Sequence, residues 1–270
     1  MRREIFEEAL RSTIPESALL SETAIKANGR PNFENQKEGY KTLLDSGTTI
    51  LAFHFKHGVM LAGDRQTSSW FSIMSQETVK VSQIGLYSGF MFAGMVSDGQ
   101  AVAESLRRAD RDFRNRFGVP LSLDGMANYL SRFLRIHYNH GIFLEAWGII
   151  AGFNFNPLES KIYSVEPAGS KTASIFATTG SGGDRAEDEL ERFRGKIKTL
   201  VLDTKEALEL AVRAVYMAGK KDMGTSDVRL AVPSVAVITA DRGFEFIKPD
   251  RVKEARDRLV DQERRDGNVA

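Results

Sequence analysis

The stretch DSGTTILA, residues 45–52, offers a hydroxyl group that could act as a nucleophile. Thr48 follows Gly47 and begins an apolar run that is typical of a β-strand. A hydroxyl nucleophile needs a base, and a free α-amine, with a pKa of about 7.7–8.0, is a better base near neutral pH than a lysine of pKa about 10.4. Cleavage between Gly47 and Thr48 would give Thr48 both its nucleophile and its base, whereas an ordinary strand start is the simpler interpretation.

The other reactive side chains give weaker signals. The chain has no cysteine, which excludes thiolate chemistry, disulfides and cysteine-based zinc sites. His137 and His140 lie three apart on a predicted helix and could share a metal ion, but no carboxylate stands at a matching spacing, which favours a structural role. His54 is interpreted as a strand side chain and His57 as a turn residue. Without a P-loop, an HExxH or a GxSxG motif, the sequence predicts neither a metal nor a cofactor.

Composition narrows the class of protein further. The chain has 270 residues, of which 42% are hydrophobic and 27% charged, and its formal net charge is +1. This balance is typical of a globular protein and gives no reason to expect a nucleic-acid or membrane partner. The N-terminus lacks the apolar core of a secretion signal, and no apolar run reaches the roughly 18–20 residues of a membrane helix. We therefore expect a soluble, cytoplasmic protein.

The elements that must position these groups are short strands in clusters, with pairs of helices between them. Residues 1–47 are polar and, taken alone, are typical of a flexible arm. The predicted strands cover 48–55, 59–64, 77–84, 86–94, 143–154, 160–169, 174–183, 233–241 and 244–249. The predicted helices cover 98–118, 123–140, 184–197, 203–221 and 249–265, with Asp98, Ser122 and Asp203 as N-terminal caps. Tight turns between neighbouring strands indicate antiparallel pairing, so we predict one α+β domain after the arm.

From Thr48 to about residue 260 the chain resembles a β subunit of the 20S proteasome, of the archaeal and bacterial kind. The segments that carry the resemblance are GTT, LAGDR, ETVKV, FAGMVSDGQ, TGSGG and DMGTSD, and they occur in the order of that family. Thr48 matches the nucleophile, Asp64 the acid 16 residues further on, and Lys80 the lysine 32 residues further on. Each segment alone is a weak indicator of this family, whereas the ordered set is specific to it.

The resemblance implies a role for each matched residue. Lys80 would lower the cost of an alkoxide-like Thr48 oxygen, and Asp64 would keep Lys80 charged and oriented. The remaining implied site residues are Gly94, whose N–H would form the oxyanion hole, and Ser181 and Asp222, which would bridge to the terminal amine. Thr225 falls on the family's hydroxyl position, an assignment that Ser226 leaves open. The sequence departs from the family at Ser226, which replaces a glycine, and at Gln66, where many relatives have arginine.

The same resemblance implies the fold and the substrate contacts. The fold would be a four-layer αββα sandwich of two mainly antiparallel sheets flanked by helices, the N-terminal-nucleophile hydrolase fold. Residues 1–47 would be a propeptide removed by autocleavage at Gly47–Thr48, and 48–270 a catalytic domain with a charged C-terminal helix, 249–265. Thr67 and Ser68 would pair with an extended peptide. Phe92 would form the floor of the primary specificity pocket.

The implied function is that of a threonine endopeptidase that hydrolyses unfolded proteins through an acyl ester on Thr48. The implied partners are other β subunits in a seven-membered ring, α-subunit rings and an ATP-dependent unfoldase, since the sequence contains no ATP site. Two alternatives remain open. One is the related two-ring bacterial threonine protease, which the long leader and the C-terminal helix disfavour. The other is a non-catalytic structural ring subunit, which the presence of Thr48, Asp64 and Lys80 disfavours.

Overall fold

A computed structural model of the chain describes residues 48–65, 67–69, 72–75, 80–220 and 232–265. Within 67–69 and 72–75 the description is limited to the backbone. The proposed leader, residues 1–47, lies outside the described residues.

Two antiparallel sheets form the centre of the molecule. Within the described ranges the strands are β1 (Ile50–Phe55), β2 (Gly58–Gly63), β3 (Thr67–Ser69), β4 (Ser72–Ser75), β5 (Val81–Gly85), β6 (Ser88–Gly94), β7 (Ala146–Phe155), β8 (Leu158–Val165), β9 (Lys171–Ala173), β10 (Phe176–Thr179), β11 (Ser234–Thr239) and β12 (Gly243–Phe246). Sheet one has the order β10-β1-β2-β11-β12 and sheet two the order β5-β6-β7-β8-β9, while β3 and β4 form a separate hairpin.

Helices cover the outer faces of both sheets. They are α1 (Val96–Phe117), α2 (Leu123–Asn139), α3 (Gly183–Arg192), α4 (Arg194–Lys198), α5 (Thr204–Gly219) and α6 (Pro249–Arg265). The first two pack on sheet two, where Phe90, Leu106 and Leu130 share an apolar core. The others pack on sheet one, around Leu51 and Val215 among others.

A third apolar core lies between the two sheets and explains the sequence of the central strands. Ile50 and Ala52 of β1 face this inter-sheet core, while Leu51 and Phe53 face the helices, and all four are fully buried. A strand covered on both faces needs apolar residues at successive positions, which is what the run ILAF supplies. The resulting layers confirm the predicted αββα sandwich.

Two of the three predicted helix caps agree with the structure, and two of the predicted helices differ from it in where they begin or in continuity. Ser122 caps α2 by accepting the Gly125 N–H, and Asp203 caps α5 in a capping box with Glu206. The prediction that Asp98 caps the next helix is wrong, because α1 begins at Val96. Asp98 instead accepts the Glu145 N–H through Oδ2 at 2.9 Å. The predicted helix 184–197 is two helices, α3 and α4, separated at Phe193.

None of the helices within the described ranges combines the length and apolar character that crossing a bilayer would require.

One histidine in β1 makes folding depend on pH. Burial lowers the pKa of His54 to about 4, and His54 Nδ1 lies 2.9 Å from Ser160 Oγ. In the unfolded chain a histidine has a pKa near 6.5, so between about pH 6.5 and pH 4 the unfolded state binds a proton that the folded state does not. Stability is therefore lost as the pH falls through this window, by up to about 3 kcal/mol from this one group.

The H54Q variant should lose less stability on acidification than the wild type. Chemical denaturation at pH 7 and at pH 4.5 would measure the free energy of unfolding of both proteins. His57, exposed in the adjacent turn, gives the matched control, and H57Q should follow the wild type. An equal loss of stability in wild type and H54Q would show that His54 is not responsible.

Candidate active site

The β1–β2 hairpin brings Thr48 and Asp64 to the same end of sheet one. Ile50 pairs with Gly63, so the residues just before β1 lie beside those just after β2. The Thr49 N–H donates to Asp64 Oδ1 at 2.9 Å, and the Asp64 N–H donates to Thr49 O at 3.0 Å. Asp64 is fully buried and Thr48 is 3% exposed. The sequence spacing of 16 residues is thus the length of one tight hairpin.

Lys80 joins this pair from the other sheet. It directly precedes β5, and its Nζ donates to Thr48 Oγ1 at 2.9 Å and to Asp64 Oδ1 at 2.8 Å. The lysine is 2% exposed. Gly63 lies beside Lys80: a Cβ atom at position 63 would be 3.7 Å from Lys80 Cβ, an ordinary contact, and 3.2 Å from Ile50 Cγ2, a tight one. Residues 48, 64 and 80, far apart in sequence, therefore form one hydrogen-bonded cluster.

Burying such a cluster costs free energy, but the cluster can take part in chemistry. Removing a lysine and an aspartate from water costs several kcal/mol per ion, and their attraction often no more than offsets this cost. The pair is therefore poorly explained by stability alone. Since Lys80 donates to Thr48 Oγ1, it can stabilise negative charge that develops on this oxygen. The proton of the hydroxyl must then go to another base.

Ser181 supplies a polar contact at the Thr48 nitrogen. It follows β10, which pairs with β1 through Ile50 and Thr179. The Thr48 N–H donates to Ser181 Oγ at 3.1 Å, and the Gly182 N–H approaches Thr48 O at 3.4 Å. The structure thus places Ser181 against the backbone of Thr48, on the atom that would become the terminal amine after cleavage at Gly47.

Gly180 is required for this approach. Its φ is +99°, in the left-handed region, and a Cβ atom there would lie 2.0 Å from Thr48 O. An alanine would have to displace the backbone of Thr48 or of the loop that carries Ser181.

The G180A variant should therefore fold with the Thr48 hydroxyl misplaced, and lose on the order of 10²-fold in any reaction that depends on it. Gly183 is the matched control in the same GSGG segment, because a Cβ atom there would have its nearest neighbour at 3.8 Å. Intact mass would report the predicted cleavage at Gly47–Thr48, and fluorogenic peptides the predicted hydrolysis, for both variants. Equal effects of G180A and G183A would refute the special role of Gly180.

Gly94 lies at the end of sheet two that also carries Lys80. It is the last residue of β6 and has a φ of +118°, and a Cβ atom there would lie 2.1 Å from Glu145 O. Phe92, two residues earlier, is buried on the helical side of β6 against Gly99 of α1. The oxyanion role of Gly94 and the pocket role of Phe92 stay predictions.

Several predicted site residues cannot be placed. Gly47, Asp222 and Thr225 lie outside the described residues, as do Ser226 and Gln66. Thr67 and Ser68 belong to β3, which pairs with β4 through a register shift, and their side chains are not described. Their predicted roles in catalysis, processing and peptide binding stay predictions.

Sequence reasoning missed the residues that position the cluster. Thr49 holds Asp64 through its backbone N–H, and Gly180 leaves space for the Thr48 carbonyl. The Gly-rich segment TGSGG was the available signal for Gly180, but the segment does not reveal which neighbour comes close.

His137 of α2 and His140, the residue that caps its C-terminal end, both contact this helix. The Nδ1 atoms of His137 and His140 lie 2.8 Å and 2.7 Å from the carbonyl oxygens of Phe133 and Ile136, respectively. In the described part of the chain, no three His, Cys, Asp or Glu side chains group closely enough to hold a metal ion.

Comparisons with known proteins identify relatives of the chain. A family model described as "Proteasome subunit" matches residues 44–232. A protein named proteasome subunit beta from Streptomyces griseus is 32% identical, over 80% of this chain and 73% of its own length. A proteasome subunit beta 1 from Thermococcus gammatolerans is 32% identical, over 75% of this chain and 94% of its own. A proteasome subunit alpha from Methanopyrus kandleri is 26% identical, over 86% and 90% of the two chains.

Proposed function

Because the chain belongs to the proteasome family, we propose that it is a catalytic β subunit of a proteasome core particle, a threonine endopeptidase whose nucleophile is Thr48. The observation that carries the proposal is the buried contact of Lys80 Nζ with Thr48 Oγ1, at 2.9 Å, and with Asp64 Oδ1, at 2.8 Å. A structural subunit has no need of a buried lysine that donates to a threonine hydroxyl.

The proposed reaction cleaves a peptide bond in two steps. Thr48 Oγ attacks the carbonyl carbon, the hydroxyl proton passes to the free Thr48 α-amine, and that proton then goes to the leaving amine as the peptide bond breaks. Lys80 stabilises the attacking oxygen, and the Gly94 N–H stabilises the oxyanion, which is usually the largest single contribution in acyl transfer. A water molecule, deprotonated by the α-amine, then hydrolyses the acyl ester and restores the Thr48 hydroxyl.

The same hydroxyl is proposed to remove the leader, residues 1–47. Thr48 Oγ attacks the Gly47 carbonyl carbon, the hydroxyl proton passes to the Thr48 nitrogen as the Gly47–Thr48 peptide bond breaks, and water hydrolyses the resulting ester. In the full-length chain the Thr48 nitrogen is an amide and cannot act as a base, so the uncut protein would be an inactive zymogen. The contact of this nitrogen with Ser181 Oγ, at 3.1 Å, supports a later role of Ser181 in holding the terminal amine. Asp222 and Thr225 are proposed to complete that environment.

The proposal also includes how the subunit assembles. We place the subunit in seven-membered β rings flanked by α rings, in the cytoplasm, with unfolded proteins delivered by an ATP-dependent unfoldase. The chain is also 26% identical to a protein named proteasome subunit alpha. Because of this likeness, a non-catalytic structural subunit is the second candidate. The Thr48–Lys80–Asp64 cluster favours the catalytic assignment.

The deciding experiment is an intact-mass measurement of the subunit purified with its α partner. A catalytic subunit should lose 47 residues and begin at Thr48, and the particle should hydrolyse fluorogenic peptides. A particle that keeps the full-length subunit and hydrolyses nothing would identify a structural subunit instead.

A further inference from the structure

A cavity of about 540 Å³ lies at the end of the sandwich opposite Thr48. The turn between β1 and β2, the start of β8 and the end of α4 surround it. Thr48 and His54, which lines the cavity, are six residues apart along β1, about 20 Å of extended chain. Small-molecule sites usually have volumes of about 300–1,000 Å³. The cavity therefore has the size of a ligand site and is separate from the candidate active site.

The cavity joins a buried apolar surface to solvent. Phe55, Phe153 and Ile197 are buried and form its apolar floor. Leu158 and Leu200 also line it, and both side chains are exposed. An apolar group that enters the cavity would cover these leucines and leave water itself, which is favourable. The lining thus suits a ligand with an apolar part.

The charged side chains around the cavity are mainly basic. Lys56 and Lys198 line it and are exposed. Neither lysine belongs to any ion pair among the described residues. Glu159 is the one acid among the described lining residues, and Lys161 balances its charge at 2.8 Å. The remaining charge of the lining is positive, so an anionic group fits it.

A serine and a histidine in the same lining favour binding over a second reaction. Ser160 Oγ lies 2.9 Å from His54 Nδ1, the distance of a nucleophile from its base. Burial lowers the pKa of His54 to about 4, which makes this histidine a weak base near neutral pH. The pair therefore adds neutral hydrogen-bonding groups to the cavity.

One side of the cavity carries a strained residue. α4 ends at Lys198, and Leu200, two residues further on, has a φ of +54°. The Leu200 N–H donates to Ile197 O and the Val201 N–H to Lys196 O, both at 3.2 Å. These bonds form a Schellman motif, in which the left-handed residue is usually glycine because a side chain there costs free energy. In the described part of the chain, Leu200 is the one residue other than glycine with a positive φ.

Packing does not explain why a leucine occupies this position. The Leu200 side chain is 46% exposed, so a glycine would relieve the strain and give up only part of a buried contact. The loop is also held in place, because the Lys56 N–H donates to Leu202 O at 3.0 Å. A strained residue kept where the fold would accept glycine points to a function. For Leu200, that function would be a contact with a molecule in the cavity.

We propose that this cavity binds a small amphipathic carboxylate, a molecule with an apolar chain or ring and one acid group. The apolar part would cover Leu158 and Leu200, and the acid group would pair with Lys56 and Lys198. This inference goes beyond the proposed function and does not depend on the chemistry of Thr48.

The test measures the binding of two matched probes to the purified full chain. One probe is octanoate with a dansyl group at the end away from the carboxylate, and the other is its primary amide, which carries no charge. Fluorescence titration at pH 7 gives both dissociation constants. The wild type should bind the acid about tenfold more tightly than the amide, as expected for a charge-assisted hydrogen bond.

Two variants separate the charged and the apolar contacts. The double variant K56Q/K198Q should lose the preference for the acid and keep its affinity for the amide. L200G should bind both probes about tenfold more weakly, because part of the apolar wall is missing. Its midpoint in urea denaturation should stay at or above the wild-type value, because glycine relieves the strain.

Neighbouring residues provide the matched controls. Val201 is 56% exposed and directly follows Leu200 but does not line the cavity, and Lys253 is an exposed lysine of α6. V201S and K253Q should bind both probes like the wild type. If either control weakens binding as much as the lining variants do, the probes adsorb to the surface at large and the proposal fails.

Other results would also overturn it. These are equal or undetectable binding of the two probes by the wild type, an acid preference that survives in K56Q/K198Q, and wild-type affinity in L200G. A lower denaturation midpoint in L200G would assign Leu200 to packing and likewise contradict the proposal. The peptidase proposal is tested by cleavage at Thr48, so the two proposals can fail separately.

Discussion

The T48A variant is expected to assemble, to keep all 47 residues of its leader and to lose peptidase activity by a factor on the order of 10⁴ or more. The change removes the hydroxyl that is proposed to attack both the substrate and the Gly47–Thr48 bond. It leaves Lys80 paired with Asp64 at 2.8 Å, so the fold should tolerate it. Intact mass reports the leader, size-exclusion chromatography reports assembly, and fluorogenic peptides report activity.

The adjacent residue provides the control for this prediction. Thr49 is fully buried, and it holds Asp64 through its backbone N–H, which T49A retains. T49A particles should therefore still remove the leader and cleave peptides. T48A particles that process themselves at residue 48, or that retain wild-type activity, would place the nucleophile elsewhere.

The K80M variant is expected to lose leader removal and peptidase activity by at least about 10³-fold, and also to lose stability. Loss of the lysine leaves Asp64 as a buried charge without its cation, and breaking a buried pair costs about 3–5 kcal/mol. The free energy of unfolding and the rate of peptide hydrolysis would be measured for the same preparation. The loss of stability would come from the unpaired Asp64 charge, and the loss of activity from the missing cation at Thr48 Oγ1.

A double variant separates the loss of stability from the loss of activity. K80M combined with D64N removes both charges, and the amide oxygen that D64N introduces can still accept the Thr49 N–H. The free energy of unfolding should then return most of the way to the wild-type value, because no unpaired charge remains. Activity should not return, because no cation faces Thr48 Oγ1. Recovery of both stability and activity in the double variant would show that Lys80 has only a structural role.

The layered fold could be predicted because its signals are local and repeated. Apolar runs such as ILAF, tight turns, and caps such as Ser122 and Asp203 each fix a short piece of chain, and the structure confirms the resulting sandwich. The split between α3 and α4 at Phe193 was missed, because the nearby Gly195 lies inside α4 and does not mark the break itself. The β3–β4 hairpin was also missed, because its strands have three and four residues.

The candidate site was predicted from ordered motifs, and its supporting contacts were not. The separations from Thr48 to Asp64 and Lys80 located the cluster, because a hairpin and a crossover of fixed length bring these residues together. The pairing of Asp98 with the Glu145 N–H joins residues 47 apart, and nothing in either segment indicates the other. The close approach of Gly180 to the Thr48 carbonyl likewise depends on how β10 lies beside β1.

The cluster takes its members from both sheets, and this has a consequence for the order of events during synthesis. A newly made chain that has formed only the β1–β2 hairpin holds Thr48 beside Asp64, but Lys80 arrives with β5 of the other sheet. Under the proposed function, the hydroxyl would therefore become reactive only after the two sheets have docked and enclosed the inter-sheet core. Under the proposed function, release of the leader acts as an internal quality check, in which a misfolded chain leaves itself uncut.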